Sequence, residues 1–125
     1  MRTFVSIVAL AIIIGGCCYA YGRERIRKVD EWYEEDNQRF FSGRLPPVHV
    51  RLGNLQEQGW LGVTEVGEDG FLEIVIDRYV STTESEVRAV ERHEECHVEN
   101  WAEEPAHGPA FQACKERLEK FVEVR

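Results

Sequence analysis

Four prolines partition this chain, and their positions decide which stretches can be helical. Proline lacks the N–H that a helix interior needs, and its ring clashes with the preceding turn. Pro46–Pro47, just after Gly43, therefore ends any helix before them. Pro105 stops another. Pro109 does the reverse, because a first-turn position needs no donor and the fixed φ suits a helix start.

Between these stops the hydrophobic period is legible. Residues 25–41 put Ile26, Val29, Tyr33 and Phe40 near one face, with Trp32 beside them and charges elsewhere, which predicts an amphipathic helix. After the proline pair, residues 48–52, 60–66 and 71–77 read as strands. GEDG at 67–70, with its Asp-Gly step, turns the second into the third. The expectation is a three-stranded antiparallel sheet with Leu72, Ile74 and Ile76 on one side. Thr83 followed by Glu86 has the spacing of a capping box and opens a helix through Ala102. Val87, Val90, Glu94, His97 and Trp101 share one stripe of it, with His93 adjacent. A last helix starts at Pro109, with Phe111, Cys114, Leu118 and Phe121 as its buried stripe. The class is α+β: a helix, three strands, then two helices, in one domain over 24–125.

Residues 3–22 contain no charge. A helix of that length is about 30 Å long, the thickness of a bilayer's hydrocarbon core. Arg2 precedes it and Arg23, Arg25, Arg27 and Lys28 follow, a bias that keeps the following side in the cytoplasm. Residues 1–23 are therefore expected to be a transmembrane anchor or signal segment, with the membrane as a partner through 3–22 and the domain cytoplasmic. The alternative is an exported chain, or one lipid-anchored at Cys17 in IGGC.

Residues 1–28 hold five basic side chains and one acid, so the chain's net −8 leaves −12 on residues 29–125. That surface is unsuited to gripping a nucleic-acid backbone. It suits solubility or a basic protein partner. Cys96 and Cys114 stand apart with no C-x-x-C, which excludes a zinc ribbon and predicts two small buried thiols.

The chemistry is concentrated in HEECH, residues 93–97, which fits H-E-x-x-H. On a helix, His93 and His97 lie one above the other, about 5–6 Å apart at Cβ. Two imidazoles so placed can share one Zn²⁺ at roughly 2.0–2.1 Å from each nitrogen. Glu94 points past such an ion, placed to take a proton from zinc-bound water and return it to a leaving amine. A catalytic zinc wants a third protein ligand. His107, Glu99, Glu103 and Glu104 are the candidates: Glu99 is turned away from the pair, Glu103 and Glu104 read as solvated acids, and His107 follows a proline-broken loop that can fold it back. Glu91 and Glu95 either orient an imidazole through its second nitrogen or form the wet face of the helix. His49 reads as a half-exposed strand residue, and Trp32, Trp60 and Trp101 as core aromatics, with Trp101 alternatively walling the metal. Arg78 and Tyr79 are near enough in sequence to the last strand to serve an oxyanion.

HEECH followed by HGPAF resembles the SprT-like zinc metallopeptidases, whose mark is H-E-x-x-H and then His-Gly-x-x-Phe. FFSGRLPPVHVRLG, WLGVTE and EIVID resemble the family's entry and next strands, so the likeness covers about residues 28–122. It implies a minimal zincin-like fold, Zn²⁺ on His93, His97 and His107, and Glu94 as catalytic acid/base, in an endopeptidase acting on protein or peptide. A hydrolase of cell-wall amides, if the domain is exported, and a non-catalytic zinc-binding or partner-binding module are the alternatives. The acidic domain, the hydrophobic start and the lack of a zinc ribbon depart from the family and argue against a role on DNA.

Overall fold

A computed structural model describes residues 28–79 and 83–122, the side chains of 121 and 122 apart. Helix α1 occupies 28–40. Strands β1 (His49–Gly53), β2 (Gly62–Val66) and β3 (Leu72–Asp77) follow, then helices α2 (Glu84–Glu99) and α3 (Pro109–Val122). Among these residues the architecture is α+β, with three helices and one three-stranded sheet. Ile26, the Phe121 side chain and the uncharged stretch 3–22 lie outside what is described. The single-pass arrangement expected from the sequence finds no support among the described residues, where no helix is long and apolar enough to cross a membrane; the expected span at 3–22 lies outside them.

The exit from α1 is held by α1's own side chains. Buried Asn37 accepts from Leu45 N at 3.0 Å and donates to Leu45 O at 3.3 Å, bridging the break that Gly43 and the prolines impose. Tyr33 donates its hydroxyl to Pro46 O at 2.6 Å. Asp30 accepts from Val50 N at 3.2 Å, which delivers the chain into β1.

The sheet is mixed, not antiparallel throughout. Its order is β1-β3-β2, with β1 parallel and β2 antiparallel to β3. The expected β2–β3 hairpin is present, with Gly67 N donating to Phe71 O at 2.8 Å. The correction concerns β1. Residues 54–61 carry the chain across the sheet, two strand spacings or about 9.6 Å, leaving the central place for β3. Asp77, buried at the end of β3, holds this crossing: its carboxylate accepts from Leu55 N at 2.9 Å, and its N–H donates to Leu61 O at 2.8 Å. As the central strand, β3 buries both faces, so Val75 is enclosed like Ile74 and Ile76.

The core joins Phe41, Ile74, Ile76, Val87, Phe111 and Leu118, among others. Trp32 belongs to it as expected. Trp60 and Trp101 do not, being 52% and 48% exposed. A second correction concerns the cysteines, which are not separate thiols. Cys96 of α2 and Cys114 of α3 form a disulfide with their Cα atoms 5.7 Å apart. Eighteen residues separate them, so only the packing of α3 on α2 brings them together.

Candidate metal centre

Helix α2 begins as its sequence dictates. Thr83 Oγ1 accepts from Glu86 N, and the Glu86 carboxylate accepts from Thr83 N, each at 3.2 Å, closing the capping box. Ten residues further on, His93 and His97 occupy successive turns of one face. Their ring centroids are 5.0 Å apart.

His107 arrives on the loop between α2 and α3, and that loop is tied at several points. Asn100 closes α2, donating N and Nδ2 to Cys96 O at 3.2 and 3.0 Å. The Glu103 carboxylate accepts from Ala110 N at 2.7 Å and Phe111 N at 2.9 Å, satisfying two orphan donors at the positive end of α3. Glu103 therefore anchors the loop and is neither a ligand nor a merely solvated acid. Gly108 is required beside it: a Cβ there would stand 2.9 Å from Glu103 Cδ and 3.0 Å from Pro105 O.

This folding-back brings the three imidazoles together. His107 Nε2 lies 3.1 Å from His97 Nε2 and 3.3 Å from His93 Nε2. The edge of a tetrahedron around an ion about 2.0–2.1 Å from each nitrogen is about 3.3 Å, so both separations have the size that a shared metal ion requires. The three histidines can hold a metal ion. Phe111 floors the group, stacked on His97 at 4.5 Å and edge-on to His93 and His107 at 4.9 and 4.7 Å. Burial, then the neighbouring charges of His107 and Lys115, lowers the pKa of His93. Burial, then His93 and His107, pushes His97 down to about 4. Both rings are thereby held neutral, with lone pairs available to a cation.

Glu94 sits between the imidazoles and the sheet, 4% exposed. Thr64 of β2 donates to its Oε2 at 2.7 Å and lies 3.3 Å from its backbone oxygen. Burial raises the Glu94 pKa, and the Thr64 hydrogen bond opposes that rise. The helix and strand approach closely here. A Cβ on Gly62 would stand 2.7 Å from Val90 Cγ1 and 3.0 Å from Glu94 Oε1, so only glycine leaves that oxygen open. A cleft of about 540 Å³ runs past the three histidines and Glu94, between Trp60–Thr64 on one side and the α2–α3 loop on the other.

No family model, no curated protein and no solved structure matches the chain.

The remaining candidates fall elsewhere. Glu99 is paired with Arg117 at 3.0 Å and Arg44 at 3.5 Å, turned away from the imidazoles as its position predicts. Glu104 is exposed at the cleft. His49 is exposed on β1, 3.3 Å from Asp69. Arg78 reaches Leu52 O at 3.4 Å, and neither it nor Tyr79 lines the cleft. Glu91 and Glu95 are neither imidazole partners nor a wet face. They are fully buried on the side of α2 towards Tyr33 and Asp36, and all four carboxyl oxygens lack a hydrogen-bond partner among the described residues. Burial, followed by neighbouring carboxylates, pushes Glu91 up to about 10 and Glu95 up to about 9.

Sequence reasoning missed three contributors: Thr64, Glu103 as the loop's anchor, and Phe111 as the floor. Glu103 left the clearest trace, as an acid shortly before a helix start, where carboxylates favour the free N–H groups. Thr64 left none, because its partner is thirty residues away.

Proposed function

We propose that this chain is a zinc-dependent metalloendopeptidase of the zincin-like, SprT-like kind. One observation carries the reading: three imidazole nitrogens within reach of a single ion, with the buried Glu94 carboxyl beside them at an open cleft. Three imidazoles suit Zn²⁺ among the common divalent ions. When bound, Zn²⁺ supplies Lewis acidity to a carbonyl and makes water a usable nucleophile near neutral pH.

The chain's own residues do the rest. Strand β2 pairs on one side with β3 and is an edge of the sheet, so an extended peptide can add alongside it by backbone hydrogen bonding. Thr64 fixes one oxygen of Glu94. The other, Oε1, takes a proton from the attacking water and passes it to the departing amide nitrogen. Water's hydroxyl ends on the carbonyl carbon and its hydrogen on the amine, so one water is consumed per bond cut. A raised carboxyl pKa suits a group that must both accept and return a proton. A purely structural ion would have no use for this carboxyl.

The test is metal content and cleavage of an unfolded protein by wild type and by Glu94→Gln. Wild type should bind one zinc per chain and cleave. The variant should bind zinc equally and cleave at least about a hundred-fold more slowly, in the range expected for general acid–base catalysis. Equal cleavage by both would refute the assigned mechanism.

A further inference from the structure

The cleft continues on the far side of Glu94. A second cavity of about 480 Å³ shares Trp60, Gly62, His93 and Glu94 with the first and is otherwise lined by Gly59, Leu61, Ala89 and Val90. The two lobes differ chemically. Beyond the shared residues the second has only glycine and aliphatic side chains. The first carries Trp101, Glu103 and Glu104, and neither lobe has a lysine or arginine among its lining residues. Glu103 is committed to the start of α3. Glu104 is exposed and forms no ion pair among the described residues. Trp60, Leu61 and Trp101 stand about half exposed at these lobes, and exposed large apolar groups gathered at one place mark a binding surface.

We infer that the preferred substrate is an extended polypeptide with a bulky apolar side chain on one side of the cut bond and a cationic side chain on the other. This deepens the peptidase reading and rests on it. The apolar side chain enters the Leu61, Ala89 and Val90 lobe. The cationic one lies over the Trp101 ring, where a cation is attracted to the π face, and meets the Glu104 carboxylate. An acidic side chain in that lobe faces Glu104 and Glu103 and is rejected by like charge.

Zinc-loaded full chain is given fluorescence-quenched peptides carrying Leu on one flank of a central bond and Lys on the other, in both orders, each with a counterpart in which Glu replaces Lys. In one order the Lys peptide should exceed its counterpart in kcat/KM by about two- to five-fold, the scale of an exposed charge pair. Glu104→Lys should reverse that preference, and Trp101→Ala should weaken the Lys peptide alone. Equal cleavage of Lys and Glu peptides, or a preference unchanged in Glu104→Lys, overturns the inference. Binding of the same peptides to zinc-loaded Glu94→Gln, read by anisotropy, separates the two levels. Selective binding without any wild-type cleavage sinks the peptidase reading and leaves the specificity standing. Binding without selectivity sinks the specificity.

Discussion

Thr64 Oγ1 on β2 donates to Glu94 Oε2 on α2 at 2.7 Å, a side-chain bond that joins the sheet to the carboxyl beside the three imidazoles. On the proposed mechanism this bond aims the carboxyl. Thr64→Val keeps the shape and deletes the donor. A lost hydrogen bond to a charged group costs about 1.5–3 kcal/mol, so kcat should fall roughly ten-fold or more. The bond holds the Glu94 pKa down, so its loss should move the acid limb of the kcat/KM profile to higher pH. Thr64→Ser should restore both. Wild-type rates and profile in Thr64→Val would show that the bond does no aiming.

The three imidazole nitrogens should bind one divalent ion per chain, measurable by competition with a chromophoric chelator. His107→Ala removes a ligand outright, so affinity should drop by more than the roughly 10–100-fold typical of losing an outer hydrogen-bond partner. Gly108→Ala should weaken binding without touching a ligand, because its Cβ would collide with the Glu103 carboxyl that fastens the loop. Unaltered affinity in His107→Ala would mean that the third ligand lies elsewhere.

Cys96 lies between His93 and His97 on α2, and its bridge ties that turn to α3. Closing a loop of this size is worth about 3 kcal/mol. Cys96→Ser with Cys114→Ser should therefore lower Tm by several degrees, and wild type under reductant should show the same drop. A mass spectrum of the non-reduced digest should contain the two cysteine peptides joined. Separate peptides would remove this bridge from the fold.

Glu91 holds its proton up to about pH 10 in the folded chain, against an ordinary value of 4.5. Between these values the folded state binds more protons than the unfolded one. Stability must therefore decline as pH rises through that window, and be least reduced below about pH 4.5. Glu91→Gln has no proton to hold. In chelator, wild-type Tm should fall from pH 5 to pH 8 by more than the variant's does. Parallel curves would argue that the carboxyl is ionised and paired.

The parts legible in the sequence are those set by neighbours along the chain. Pro46, Pro47 and Pro105 bar helices where they stand, though α2 stops at Glu99, short of the expected Ala102, because Asn100 closes it; the Thr83–Glu86 spacing closes its box within one turn, and His93 and His97 need only a helix to face the same way. Strand order is different in kind. Alternation in 48–52 tells which side chains share a face and not which strand lies alongside, so the insertion of β3 between β1 and β2 left no mark. The disulfide is likewise a product of helix packing.

The acids of α2 misled for another reason. Positions 91 and 95 lie about 200° around the helix from 93 and 97, which suggests a solvated back. Here α1 covers that back. Asp36 accepts from Arg88 at 3.0 Å and Arg92 at 2.9 Å beside it, so α2 is enclosed on both sides and its carboxyls go in with it. Trp60 and Trp101 err in the opposite direction: large apolar side chains that the fold leaves facing the cleft.

All three imidazoles, Glu94, the anchoring Glu103 and both bridged cysteines fall within residues 93–114, a stretch of helix, loop and helix. The wall opposite them, Trp60 to Thr64, comes from a distant part of the chain. Grip on the ion is thus written in one short passage, while part of the choice of guest is written in another. Trp60 and Leu61 can be redrawn to admit new guests while the ion keeps its seat, provided Gly62 stays as it is.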